Sequence, residues 1–122
     1  MLSTWHGYPN RNTPTVDGLA LRYLLVAELI STRRTMALPE LVDALDHLGA
    51  ELHGRASKVV SDALRWEVRR GRVVRVGRGR YVLGSMPRST RSWICQHAEL
   101  VRMNLRRLAV DGAGHARTEP RR

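Results

Sequence analysis

The chain has 122 residues, 43% of them hydrophobic, enough for one domain of three or four helices and a small sheet but too few for two independent cores. Its 21 Lys and Arg against 11 Asp and Glu give a formal charge of +10, which favours polyanionic partners. No apolar run approaches the roughly 20 residues of a membrane span, and the start lacks a charged stretch leading into an apolar core, so a soluble, uncleaved cytoplasmic protein is expected.

Residues 1–16 are rich in turn formers without a period, and an irregular arm is expected there, with Trp5 or Tyr8 either tucked onto the body or free. Asp17 is a candidate N-cap for a first helix running to about Thr32. Leu19, Leu21, Leu24, Leu25, Val26, Leu29 and Ile30 make that helix apolar almost all round, which predicts cover on two sides, by its own core and by a partner subunit. Residues Thr35 to Ala37 form a short strand able to pair with a later hairpin. Pro39 suits the start of a second helix, where its missing amide costs nothing. Its buried stripe is Leu38, Leu41, Val42, Leu45 and Leu48. Between Met36 and Gly54 there are four acids and no Lys or Arg, so this helix is expected to keep away from phosphates.

Residues Arg55 to Leu83 organise the chain. Ala56, Val59, Val60, Ala63 and Leu64 recur at helical spacing and leave Lys58, Ser61, Asp62, Arg65 and Arg69 on the opposite side. Gly71 stops the helix, since a glycine tolerates the positive φ needed just past a C-terminus. Arg72 to Val76 and Arg80 to Leu83 then read as a hairpin around Gly77, Arg78 and Gly79. From Arg55 to Arg80, nine basic residues face only Asp62 and Glu67, a net +7 of the total +10. A cluster of this kind gains affinity for nucleic acid by releasing condensed counterions. Lys58 is the only lysine, and guanidinium forks suit phosphate and guanine edges better than an ammonium does.

Beyond the hairpin, Ser89 can cap a helix from about Thr90 to Val110. Ile94, Ala98, Val101, Leu105 and Leu108 are spaced 4, 3, 4, 3, the pattern of a coiled-coil seam. Together with Trp93 they are the expected dimerisation residues, packing on the first helix of the same chain being the alternative. Residues 111–122 are rich in Gly, Arg and Glu and are expected to be disordered. Phe is absent, so the interior should be aliphatic, with Trp66, Trp93 and Tyr23 as its large rings. Lone Cys95 makes no internal disulfide; it is either a buried thiol or a bridge across a dimer.

The run VSDALRW, ending at Arg-Gly and entering RVVRVGRGRY, resembles the winged helix-turn-helix domains of bacterial transcription regulators, and its wing is similar to that of abortive-infection antitoxin-type regulators. The resemblance covers about residues 19–84. It implies a mainly α fold with a β-hairpin wing, here followed by a C-terminal dimerisation helix. It also implies that Ser57, Lys58, Ser61, Asp62, Arg65 and Arg69 face the major groove, with Arg65 on a guanine and Asp62 orienting Arg65 or Arg69, while Arg72, Arg75, Arg78 and Arg80 belong to the wing. Where such families carry a core leucine, this chain has Glu67. Either Trp66 takes over the packing, or Glu67 pairs with an arginine at the domain edge.

The function expected from this reading is a dimeric, double-stranded DNA-binding transcription regulator acting from the nucleoid. Two alternatives keep the fold: a nucleoid-associated or silencing protein favouring AT-rich DNA, prompted by Arg78 between glycines, or a protein-interaction module. An enzyme, a cofactor or a metal site is not expected, because His6, His47, His53, His97 and His115 never fall at ligand spacing with a second ligand on one helix face.

Overall fold

The computed structural model describes Val16 and residues 18–118, with side chains through residue 110. The elements run α1 (Gly18–Thr32), β1 (Met36–Ala37), α2 (Leu38–His47), α3 (Ala56–Arg69), β2 (Val73–Gly77), β3 (Arg80–Leu83) and α4 (Arg88–Thr118). The protein is therefore mainly helical, with one small antiparallel sheet of strand order β1-β3-β2. Asp17, the expected cap of α1, lies outside the described residues, as do residues 1–15 and 119–122 of the expected arm and tail.

Helix α1 is the central element. Leu21, Leu24, Leu25, Val26 and Leu29 are all buried, and α2, α3, α4 and β3 pack around it. The helix that lacks a wet face is thus covered from within its own chain, where a partner subunit was expected on one side. Val16, placed by sequence in the irregular arm, is buried too, and its N–H donates to the Glu51 carbonyl at 2.8 Å. Helix α2 begins as its sequence dictates. Pro39 sits in the first turn and the Glu40 side chain reaches back to accept from the Ala37 N–H at 2.8 Å.

Helix α3 buries Val60, Ala63, Leu64 and Glu67, and Gly71, at φ +77°, turns the chain into the hairpin. Strand β2 pairs with β3 through Val73↔Leu83, Val74↔Val82 and Arg75↔Tyr81, and a bulge falls between Arg75 and Gly77. The strand expected at Thr35 to Ala37 forms, and pairs with β3 through Met36↔Tyr81 and Ala37↔Arg80. Gly84 closes the hairpin against the end of α3, its N–H donating to Arg72 O at 2.8 Å. A Cβ there would collide with the Gly71 carbonyl oxygen and lie 2.9 Å from the Arg72 carbonyl carbon. Gly84→Ala is accordingly expected to cost about 1–3 kcal/mol by forcing backbone apart, read as a lower urea midpoint at unchanged slope.

Three expectations are corrected. Helix α4 starts at Arg88, with Arg91 N–H donating to Pro87 O at 3.0 Å, so Ser89 lies inside the first turn and does not cap it. The helix also continues through Thr118, so residues 111–118 are helical where disorder was expected: no proline interrupts it before Pro120, and Ala113, His115 and Ala116 tolerate helix around the two glycines. Trp66 and Trp93 are half-exposed; Tyr23 does pack against the core, and the ring buried within it is Tyr81.

Candidate nucleic-acid interface

The stripe that seats α3 fixes which residues point away from the body. Val60, Ala63, Leu64 and Glu67 follow i, i+3, i+4, i+7 and face inward, leaving Ser57, Lys58, Arg65 and Arg69 exposed, and Ser61 and Asp62 at intermediate depth. The six residues expected on the reading face therefore do share one side of the helix. Asp62 orients cations there, though chiefly Lys58, whose Nζ donates to Oδ2 at 3.0 Å; Arg65 is 3.9 Å away, and Arg69 is not engaged by it. The hydrogen bond from Lys58 holds the Asp62 carboxyl below its ordinary pKa, so the face keeps its one anion at neutral pH.

Arg69 leans instead on Trp66, its guanidinium carbon 5.3 Å from the ring centroid, while Arg22 of α1 approaches the same ring at 5.7 Å. Trp66 is 51% exposed and borders the basic face. The helical stripe contained the signal for this: extended one turn beyond Val60 and Ala63/Leu64 it passes through residue 67 and misses residue 66.

Arg72 leaves the set. Glu67 is fully buried, and Arg72 Nε donates to its Oε1 at 2.7 Å while Arg22 Nε donates to Oε2 at 2.8 Å. Arg72 is bound inside the protein, so the expectation that it contacts DNA is corrected. Of the two readings of Glu67, pairing with arginine is the one found, but in the core and with two arginines, not at a domain edge. Burial pushes the Glu67 carboxyl up, and the hydrogen bonds and charges of Arg72 and Arg22 outweigh it, leaving its pKa lowered.

The hairpin presents Arg75, Arg78 and Arg80, all exposed. Arg75 stands opposite Tyr81, which puts it on the inner face of the sheet, while Arg80, next to Tyr81, alternates to the other. Arg80 also lies close enough to Glu40 to help lower that carboxyl's pKa, behind the hydrogen bonds from Arg34 and Ala37. The wing is short and pinned: Leu38 N–H donates to the Gly79 carbonyl at 2.8 Å, tying the hairpin tip to the start of α2. Arg78 remains at the apex. Beside this surface, Asp43 and Asp46 of α2 line an open groove of about 420 Å³ with Leu38, Val42 and Ser57, so negative charge flanks α3 on the α2 side.

The expected dimer seam is also redistributed. Ile94, Ala98 and Leu105 are buried in the chain's own core, with Val101 packed against it and Leu108 half-buried, so the 4-3-4-3 stripe of α4 is spent on α1. Of the expected set only Trp93 stays largely exposed, and Cys95 is half-buried. Among the described residues no helix is long and apolar enough to cross a membrane, and no three His, Cys, Asp or Glu side chains group as a metal site. No protein family, curated protein or solved structure matches this chain in comparisons of sequence or fold.

Proposed function

We propose that the protein binds double-stranded DNA through the outer face of α3 and the adjoining hairpin, as a winged helix-turn-helix transcription regulator. The observation that supports this most is the outer face of α3 itself. Lys58, Arg65 and Arg69 stand exposed on one side of a helix whose other side is locked into the core, with a basic hairpin directly after it. The element order helix, strand, helix, helix, hairpin, with α3 packed on α2, supports this reading. In this reading α3 enters the major groove, Arg65 takes a guanine edge, Lys58 and Ser61 take phosphates, and the acidic side of α2 keeps the duplex to one side. A dimer would set two such helices about 34 Å apart on a pseudo-palindrome and act by occupancy, excluding polymerase or reshaping promoter DNA.

Selection of bound sequences from a random duplex library at about physiological ionic strength tests the reading. Enrichment of one motif supports it. Uniform binding of all duplexes points to a nucleoid coat, and no binding leaves a protein-interaction module. The exposed apex Arg78, between Gly77 and Gly79, has room to enter a narrow minor groove, which favours AT-rich flanks. Arg78→Ala is expected to weaken binding to AT-flanked sites more than to GC-flanked ones, as read by fluorescence anisotropy; equal losses would remove the minor-groove contact.

A further inference from the structure

We infer that a second copy of this chain docks antiparallel on the outward face of α4, through Trp93, Leu100, Met103 and Val110. The inference supplies the interface that the dimeric DNA-binding reading leaves open, and rests on that reading for nothing else.

The intramolecular seam of α4 uses Ile94, Ala98, Val101 and Leu105, with Leu108 half-buried at its end. Trp93, Leu100, Met103 and Val110 occupy the opposite side and are spaced 7, 3, 7, the a and d positions of a second heptad register. All four are more than half exposed, Leu100 at 63% and Val110 at 67%. A helix whose inner stripe is already satisfied has no structural use for a second one. Trp93 is also held in place, its ring centroid 4.2 Å from that of His97, which in turn lies 5.3 Å from Tyr23 of α1. The register is completed by Gln96 and Arg107, at the remaining d and a positions.

The charges decide who covers the stripe and in which direction. In a parallel pair Arg107 would meet its own copy, placing two guanidinium groups in one core layer. Turned antiparallel about a two-fold axis between residues 101 and 102, the layers become Trp93 on the partner's Val110, Leu100 on the partner's Met103, and Gln96 on the partner's Arg107. Each contact occurs twice, as a closed isologous interface requires. At the flank Glu99 comes beside the partner's Arg106. Within one chain these two already lie 3.2 Å apart, so the pairing only exchanges partners. A face that complements itself in apolar layers and in flanking charge fits a second copy better than an unrelated protein.

Sedimentation equilibrium of the full chain over a wide concentration range tests the association, without DNA. The mass is expected to rise from 13.8 kDa toward twice that value, and to stay monomeric in Leu100→Glu and in Met103→Glu. Both side chains are exposed, so these variants should keep the wild-type helical signal. Direction is read by oxidation in a Cys95→Ser background. Val110→Cys alone should not cross-link, since an antiparallel pair holds the two 110 positions about 25 Å apart along the axis. A mixture of Trp93→Cys and Val110→Cys chains should cross-link to each other. A monomer at all concentrations, a dimer indifferent to Leu100→Glu, or self-linking of Val110→Cys each overturns the proposal. A monomer that still selects a DNA motif would sink this interface and spare the DNA-binding reading; a dimer that ignores DNA would do the reverse.

Discussion

Glu67→Ala is expected to remove about 3–5 kcal/mol of folding stability and to lower the melting temperature by roughly 10–20 °C. Glu67 is fully buried and is the acceptor for both Arg22 Nε and Arg72 Nε, with Arg72 Nη2 adding a third bond at 3.1 Å. Truncation leaves two guanidinium groups in the interior with no counter-charge, and Nη2 of Arg22 already lacks a partner among the described residues. The penalty is desolvation of orphaned cations, not loss of a favourable pair as such. Replacing the whole triad in Arg22→Met/Glu67→Leu/Arg72→Met should therefore restore most of the stability, whereas a triple variant as unstable as Glu67→Ala would mean that packing volume, not charge, governs the site.

The same group sets an acid limit. The folded pKa of Glu67 lies below its ordinary value near 4.5, so its contribution is complete above that value and is lost as pH falls through the lowered folded one. Chemical denaturation followed downward from neutral pH should show wild type losing stability faster than Glu67→Gln, which has no proton to take up. The triad also has a functional side. Arg22 belongs to α1, Glu67 to α3, and Arg72 opens the hairpin, its N–H donating to Glu67 O at 3.1 Å and its carbonyl accepting from Gly84. One buried carboxylate thus fixes the angle between the candidate reading helix and its wing, and Glu67→Gln should weaken DNA binding even where it remains folded.

Much of this architecture was legible in the residues because the signals were local. The stripe of Val60, Ala63 and Leu64, the stop at Gly71, the proline at the start of α2 and the Gly77 to Gly79 hairpin each follow from one or two turns of chain. What was not legible depended on the other side of a contact. Arg72 reads as one more wing cation until a carboxylate five residues earlier turns out to face the core. The 4-3-4-3 stripe of α4 has the period of a seam, and period cannot say whether the surface it meets is α1 or another molecule. The size of Trp66 suggests a core ring, although its position on the helix lies off the buried stripe, where the guanidinium groups of Arg22 and Arg69 partner it.

The largest single loss of DNA affinity among surface substitutions is expected for Arg65→Ala, about 1–3 kcal/mol, with relaxed preference at one position of the selected motif. Arg65 is the exposed cation nearest the middle of the outer face, and among the described residues its one partner is Asp62 at 3.9 Å, too far for a strong hydrogen bond. It is therefore free to present both edges of its guanidinium to a base. Lys58 differs, because Asp62 holds it at 3.0 Å along the helix, and contact with a phosphate must compete with that pair. Lys58→Ala should consequently weaken all duplexes alike and reduce the salt dependence of binding by about one ion, without changing the motif. Asp62→Asn frees Lys58 and removes the one negative charge from the face, so it should tighten non-specific binding and narrow the gap between the selected motif and random DNA. Anisotropy titrations of the three variants at several salt concentrations separate these roles. If Arg65→Ala and Lys58→Ala gave the same uniform loss, α3 would be gripping phosphates alone and reading no bases.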